Sequence, residues 1–156
     1  MIKKILFSTV IVLIAIQFIS VEKTNPPVDN TLTLKAPAEV IGVLKQSCFD
    51  CHSNETKWPY YSDIAPISFF VATHVKDART ALNFSEWNII AEDIKIQRIK
   101  RGIITVKNEM MPLPSYVVAH EDAKLSKEEK TILITWFENE LKVLTGNNKN
   151  HLFQVK

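Results

Sequence analysis

A pentapeptide near the start of the folded region constrains this chain more than any other feature. It reads Cys48-Phe49-Asp50-Cys51-His52 and contains both cysteines of the chain. The pattern C-x-x-C-H is the attachment sequence of c-type haem, and positions three apart share one face of a helical turn, so both sulfurs can reach the vinyl groups on one porphyrin edge. His52 follows at once and can offer a neutral imidazole to the iron. The motif therefore predicts one covalent haem c, held by Cys48, Cys51 and His52.

Three other uses of two cysteines fit the pattern less well. A thioredoxin-like dithiol needs a βαβ setting, whereas residues 40–47 have the apolar periodicity of a helix. A zinc site needs four ligands, usually with a second pair of soft ones, and the chain has only two cysteines. A structural disulfide would leave His52 unexplained. Covalent haem is the interpretation that uses every residue of the motif.

A haem iron held by His52 has a second axial position, for which Met111 is the preferred candidate. Pro112 holds the backbone of Met111 extended, and the surrounding proline-rich stretch cannot be helical through its middle. A thioether is soft and neutral, and it raises the reduction potential. Met110 points the opposite way in extended backbone and is an alternative, as is His74. The weaker candidates are His120 and His151.

Four further residues are candidates for the haem pocket. Trp58, Tyr60 and Tyr61 follow the motif closely, and we expect them to wall the haem, because they combine apolar area with polar tips that can meet propionates. Core packing would explain these three aromatic residues equally well. His74 lies on an apolar helical face, where it is a core residue or a propionate donor if it does not bind the iron.

The first 21 residues form an apolar segment with a positive start. Lys3 and Lys4 carry its only charges, and residues 5–21 have none. As a helix, residues 5–21 would span about 25 Å, just short of a bilayer core of about 30 Å. Because no A-x-A-like cleavage site is present, we favour an uncleaved anchor over a cleaved signal peptide, with a buried helix as the third option. Since positive residues stay inside, we expect a single-pass bacterial inner-membrane protein whose domain faces the periplasm.

The rest of the chain predicts an all-α domain behind a flexible tether. Residues 22–35 contain two consecutive prolines and several turn-forming residues, which are typical of a tether. Residues 36–144 are the predicted haem-binding domain, and residues 145–156 a loose carboxy-terminal tail. Only three glycines argue against a turn-rich β architecture.

Four helices are predicted in the domain from their apolar periodicity and end signals. The first carries an apolar stripe from Val40 to Cys48, with Pro37 in its first turn. The second runs from about Ile67 to Leu82, with Pro66 in its first turn and Ser62 or Asp63 as its cap. The third runs from Ser85 to about Gly102, and the fourth runs from a capping box at Ser126 and Glu129 to a stop at Gly146. Leu133, Trp136 and Phe137 of the fourth helix are predicted to face the core.

Charge and composition exclude several classes of protein. The chain has 19 basic and 17 acidic residues. Because Lys3 and Lys4 are two of the basic residues, residues 22–156 carry 17 of each sign. That balance leaves no basic footprint for nucleic acid, and a hydrophobic fraction of 46% is that of an ordinary folded protein.

Two blocks of the sequence resemble the bacterial haem-binding domain family. One is residues 48–87, CFDCHSNETKWPYYSDIAPISFFVATHVKDARTALNFSEW, and the other combines EMMPLPSY with the later AKLSKEEK. IQFISVEKTNPPV resembles the anchor and tether of that family. The resemblance implies a small exported protein with one c-type haem on Cys48, Cys51 and His52 and a cytochrome-c-like all-α fold. The family pattern has one methionine before the proline, where this chain has Met110 and Met111.

Together these features predict a membrane-tethered periplasmic cytochrome that transfers single electrons to redox partner proteins. Two axial protein ligands leave no place for a substrate, so we expect an electron carrier and not an enzyme. The alternative is a haem-based ligand sensor or a peroxidase-associated subunit, in which the iron is five-coordinate or Met111 detaches. A structural haem that takes no part in electron transfer is a third alternative.

Overall fold

The computed structural model of this chain describes residues 1–153, with the side chains of residues 1–146. Within that range the regular elements are all helical, which confirms the all-α prediction. The α-helices are α1 Ile2–Ala15, α2 Ala38–Ser47, α3 Phe49–His52, α4 Ile67–Ala81, α5 Glu92–Lys107, α6 Pro114–Ala119 and α7 Lys127–Phe153. Short 3-10 helices span Ile16–Phe18, Tyr60–Asp63, Phe84–Ile89 and Glu121–Ala123. The candidate ligand His151 lies outside the described side chains.

The core is built on α5 and α7, which pack along one another, with α2 against α7. Ile99 on α5 is 1% exposed, and Leu133 on α7 is fully buried. Trp87 adds an aromatic layer, because its ring lies 6.0 Å from that of Trp136 between centroids. The motif helix α3 packs against α4 instead.

The predicted second helix forms as α4, but its apolar face is only partly covered. Pro66 is its N-cap residue, and neither Ser62 nor Asp63 caps it, so that prediction is wrong. Val75 is buried as expected, whereas Ile67 and Phe70 are 46% and 65% exposed. Their side chains border a surface cavity and do not enter the core.

The predicted third helix is divided in two. A 3-10 helix, Phe84–Ile89, comes first, and Asn83 caps it in place of Ser85, because the Asn83 side chain accepts the Ser85 N–H at 3.0 Å. The α-helix α5 then begins at Glu92 and continues through Gly102 to Lys107. Gly102 is therefore an internal residue of α5 and not its end.

The fourth helix, α7, begins as predicted but ends later. The Glu129 N–H donates to Ser126 Oγ at 3.1 Å, and the Ser126 N–H donates to the Glu129 carboxylate at 2.8 Å, which confirms the capping box. The predicted stop at Gly146 is wrong, since α7 continues to Phe153. No described glycine has the left-handed φ that a glycine C-cap requires. Helical backbone thus occupies most of the region for which the sequence predicts a loose tail.

The apolar amino terminus forms a shorter helix than predicted. The helix α1 ends at Ala15. At Ile19 the backbone has reached an extended conformation, with φ −88° and ψ 106°. No residue of α1 is buried. Among the described residues, no helix combines the length and the apolar character that a membrane crossing requires. The Gln17 amide donates to the Ala65 carbonyl at 2.9 Å and accepts the Ala65 N–H at 3.0 Å, so the end of this segment is bonded to the domain.

Residues 22–35 contain no helix, but they lie against the domain. The Arg79 guanidinium on α4 donates to the Thr24 carbonyl at 2.7 Å and to Asn25 Oδ1 at 2.9 Å. Leu34 is 7% exposed, and its N–H donates to the Phe84 carbonyl at 2.8 Å. The structure therefore differs from the predicted flexible tether, because the polar groups of this segment find partners on the folded domain.

Candidate haem site

The helices α2 to α7 border an apolar cavity of about 320 Å³. Cys48, Cys51, His52 and Met111 all lie on its wall. Most of the remaining wall is aliphatic or aromatic, with side chains such as Leu44, Leu82, Phe84, Val106, Leu133 and Phe137. Ligand sites in proteins are concave and mostly apolar in this way, with a few placed polar groups. The structure thus brings four sequence-predicted ligands to one cavity.

A break between two helices places the motif on this wall. At Cys48 the backbone leaves the helical region, with φ −131° and ψ −35°, and α3 follows as a single turn. The N–H groups of Cys51 and His52 both donate to the Cys48 carbonyl, at 3.1 and 2.9 Å. This tight turn brings both sulfurs and the imidazole to the same cavity.

The His52 imidazole is oriented by a backbone group. Its Nδ1 lies 2.9 Å from the Leu82 carbonyl oxygen. A carbonyl oxygen can only accept a hydrogen bond, so Nδ1 carries the proton and Nε2 of the neutral ring keeps its lone pair. Burial lowers the pKa of His52, which favours the neutral ring. Metal-bound histidines are held by outer hydrogen bonds of this kind. The sequence carries no signal for it, since the acceptor is a backbone carbonyl thirty residues away.

The two cysteines are free thiols and do not form a disulfide. Burial raises the pKa of Cys48 to about 12 and that of Cys51 to about 11. Dithiol oxidoreductases instead use a cysteine with a lowered pKa, so the environment of these thiols does not favour a thioredoxin-like dithiol. Within the described residues, no group of three or more His, Cys, Asp or Glu side chains is arranged to hold a bare metal ion.

The two neighbouring methionines occupy different environments. Met111 is half-buried and borders the cavity, whereas Met110 is 56% exposed and does not. Their N–H groups both donate to the Thr105 carbonyl, at 3.2 Å for Met111 and 2.8 Å for Met110. The structure therefore makes Met111, and not Met110, available to a ligand in the cavity.

The histidine alternatives are engaged elsewhere or lie at the rim. His74 borders the cavity at an exposed position, and its Nδ1 lies 2.7 Å from the Phe70 carbonyl of its own helix, which leaves Nε2 free as in His52. The His120 Nε2 lies 2.8 Å from the Tyr61 hydroxyl, which occupies the nitrogen that would bind iron.

The predicted aromatic wall is not part of this cavity. Tyr60 and Tyr61 border a neighbouring cavity of about 450 Å³, and Trp58 borders a third one with Val21. These three residues therefore do not line the cavity of Cys48, His52 and Met111, although Tyr60 and Tyr61 share the neighbouring cavity with Cys51.

Two arginines on α5 were not singled out by sequence reasoning. Arg98 and Arg101 border the cavity, and the Arg98 guanidinium donates to the Thr80 carbonyl at 3.1 Å. A haem carries two propionates, and arginine is the side chain best suited to pair with carboxylates. The available signal was two arginines three residues apart on one helical face.

A hydrogen bond between Tyr116 and Asp50, which sequence reasoning also missed, links α6 to the motif. The Tyr116 hydroxyl donates to Asp50 Oδ2 at 2.7 Å, and Tyr116 itself borders the cavity. Burial and the hydrogen bond to Asp50 raise the pKa of Tyr116, so the hydroxyl keeps its proton. These residues are 66 positions apart, and no local pattern connects them.

The residues present fit a c-type haem. Ser47 is 5% exposed and borders the cavity, and its hydroxyl is the one buried side-chain polar atom without a partner among the described residues. A buried polar group without a partner is unfavourable, and a bound molecule with polar groups would relieve that cost. The wall also supplies two thiols, a neutral imidazole, a thioether and two guanidinium groups around an apolar interior.

A comparison with known protein families agrees with this chemistry. The family model described as a haem-binding domain matches residues 11–139, a range that includes the motif and Met111. Comparisons with curated proteins and with solved structures gave no match. The family match confirms the resemblance read from the motif blocks. The chain therefore belongs to the haem-binding domain family.

Proposed function

We propose that this chain is an exported, membrane-attached cytochrome that carries single electrons on one covalent haem c. The observation that supports it best is the sharing of one apolar cavity by the C-x-x-C-H turn and Met111. The hydrogen bond from His52 to Leu82 is the second support, because it leaves the imidazole ready to bind iron.

Each wall residue has a role in this proposal. Cys48 and Cys51 would hold the porphyrin through thioether bonds, and His52 and Met111 would bind its iron. The Leu82 carbonyl fixes the orientation of the imidazole, and burial favours its neutral form. The bound haem would supply one-electron redox chemistry, with a potential raised by the thioether. Because no axial position remains for a substrate, we propose a carrier and not a catalyst.

We also propose that residues 5–21 hold the protein at the bacterial inner membrane, with the domain in the periplasm. The apolar side chains of α1 are exposed, and none is buried against the domain. Lys3 and Lys4 would stay on the cytoplasmic side. Gln17 pairs with Ala65, so the domain would sit close to the bilayer.

Absorption spectroscopy and carbon monoxide binding test the electron-carrier proposal. We expect a low-spin ferric spectrum with a weak far-red band, and slow carbon monoxide binding to the reduced protein. Met111→Ala should turn the ferric spectrum high-spin, while Met110→Ala, the matched control, should leave it unchanged. A high-spin wild-type protein that binds carbon monoxide without delay would favour the ligand sensor or the peroxidase-associated subunit. An unchanged spectrum in Met111→Ala would exclude this residue as the ligand.

A further inference from the structure

The segment that carries Met111 joins α5 to α6 and is attached at both ends. At the α5 end, the N–H groups of Met110 and Met111 donate to the Thr105 carbonyl. At the α6 end, the Val117 N–H donates to the Leu113 carbonyl at 3.0 Å in the first turn of the helix. Only two residues separate Met111 from the first residue of α6. The place of Met111 in the cavity therefore depends on where α6 sits.

A side-chain hydrogen bond ties α6 to the haem-attachment turn. The Tyr116 hydroxyl donates to Asp50 Oδ2 at 2.7 Å, and Asp50 lies between the two cysteines of the motif. The other carboxylate oxygen, Oδ1, accepts the Lys57 N–H at 3.1 Å, which orients the carboxylate toward α6. This one bond connects the helical turn that carries His52 with the helix that follows Met111.

The ring of Tyr116 is held independently of its hydroxyl. It stacks on the His120 ring with centroids 4.4 Å apart and planes 20° from parallel. His120 is fixed in turn by the Tyr61 hydroxyl at 2.8 Å. A phenylalanine at position 116 would keep the stacked ring and lose only the bond to Asp50.

We propose that Tyr116 is a positioning residue for the sixth iron ligand. Its hydrogen bond to Asp50 holds α6, and with it Met111, at the distance from His52 that the iron requires. The bond thereby controls how readily the sixth position opens to an outside ligand. This inference rests on the proposed function, because it requires Met111 to bind the iron. A hydrogen bond to a charged acceptor corresponds to roughly a 10- to 100-fold change in an equilibrium constant.

The test is the rate of carbon monoxide binding to the full-length, haem-loaded, reduced protein. We expect Tyr116→Phe to bind carbon monoxide about tenfold faster or more and to weaken the far-red band of the ferric protein. Thr131→Val is the hydroxyl-deletion control, because Thr131 is exposed on α7 and its hydroxyl donates to the Lys127 carbonyl of its own helix. It should behave as the wild type.

A double-mutant cycle assigns the effect to the bond itself. Asp50→Ala should speed carbon monoxide binding as Tyr116→Phe does, and the double variant should be no faster than either one. Additive effects in the double variant would overturn the proposal. So would a Tyr116→Phe protein that unfolds more easily while its binding rate and far-red band stay at wild-type values.

Met111→Ala separates failure of this inference from failure of the proposed ligand. If Met111→Ala speeds carbon monoxide binding and Tyr116→Phe does not, the positioning role is wrong and the ligand assignment stands. If Met111→Ala leaves the rate unchanged, Met111 is not the ligand, and the role of Tyr116 falls with it.

Discussion

A buried polar network fixes the backbone carbonyl that orients His52. Asn83 follows Leu82 directly, and its side chain donates to Asn54 Oδ1 at 2.8 Å and accepts the Ser85 N–H at 3.0 Å. The Asn54 N–H donates to Ser85 Oγ at 3.0 Å, which closes the network. The three members are each at most 5% exposed. Asn83→Ala is therefore expected to destabilise both the fold and the orientation of the imidazole.

The expected loss in the free energy of unfolding follows from the polar groups that Asn83→Ala leaves without partners. Asn83→Ala leaves the Ser85 N–H and Asn54 Oδ1 buried without partners. Each such group costs about 1–3 kcal/mol, so we expect the free energy of unfolding to fall by about 2–6 kcal/mol. That is a large part of the roughly 5–15 kcal/mol typical of a domain. Asn88→Ala is the matched control: Asn88 lies in the following 3-10 helix and donates to two backbone carbonyls, but it is exposed, and water can replace those bonds.

The assay is guanidinium unfolding of the haem-loaded protein, followed by far-ultraviolet circular dichroism and by the ferric absorption spectrum. Asn88→Ala should change the free energy of unfolding by less than about 1 kcal/mol and leave the spectrum unchanged. Asn83→Ala should also alter the ferric spectrum, because the Leu82 carbonyl moves. Equal stability losses in the two variants would refute the reasoning.

Two further predictions concern the core and the amino-terminal segment. Ile99→Ala should lower the free energy of unfolding by about 2–5 kcal/mol, because Ile99 is 1% exposed. Ile104→Ala on the same helix should change it by no more than about 0.5 kcal/mol, because Ile104 is 57% exposed. Denaturant titration checks both variants, and similar losses would contradict the burial argument. Arg79→Gln should expose the segment before α2 to thermolysin, because the Arg79 guanidinium donates to two oxygens of that segment, the Thr24 carbonyl at 2.7 Å and Asn25 Oδ1 at 2.9 Å. Unchanged cleavage relative to Lys76→Gln would show that other contacts hold the segment.

Features specified by neighbouring residues could be predicted from the sequence. The haem-attachment motif is a five-residue pattern, and its cavity follows from helices whose apolar residues recur at helical spacing. The capping box of Ser126 and Glu129 is equally local, and it sets the start of α7. Met111 could be chosen over Met110 because a proline follows it, but the two residues do not alternate as in extended backbone, since both of their N–H groups donate to the Thr105 carbonyl.

Features that depend on distant partners could not be predicted. The orientation of His52 comes from a backbone carbonyl thirty residues away, and the link from Asp50 to Tyr116 spans 66 residues. The segment of residues 22–35 has the composition of a tether, yet Arg79 and the core hold it in place. Composition describes what a segment prefers in isolation, and here tertiary hydrogen bonds override that preference.

The apolar face of α4 shows a related limit of periodicity. Ile67 and Phe70 have the spacing of core residues, but both side chains are exposed. They border the cavity that Tyr60 and Tyr61 also line. A helical pattern indicates which residues share a face, and only the packing of the other helices decides whether that face is covered.

The mass of the intact protein after denaturation shows whether the haem is bound covalently. The protein should be made in a host that matures c-type cytochromes, purified, unfolded in acid and organic solvent, and measured by mass spectrometry. We expect the mass of the chain plus one haem, retained after extraction, because Cys48 and Cys51 would bind the haem covalently. A bare chain, with both thiols free or joined in a disulfide, would contradict it.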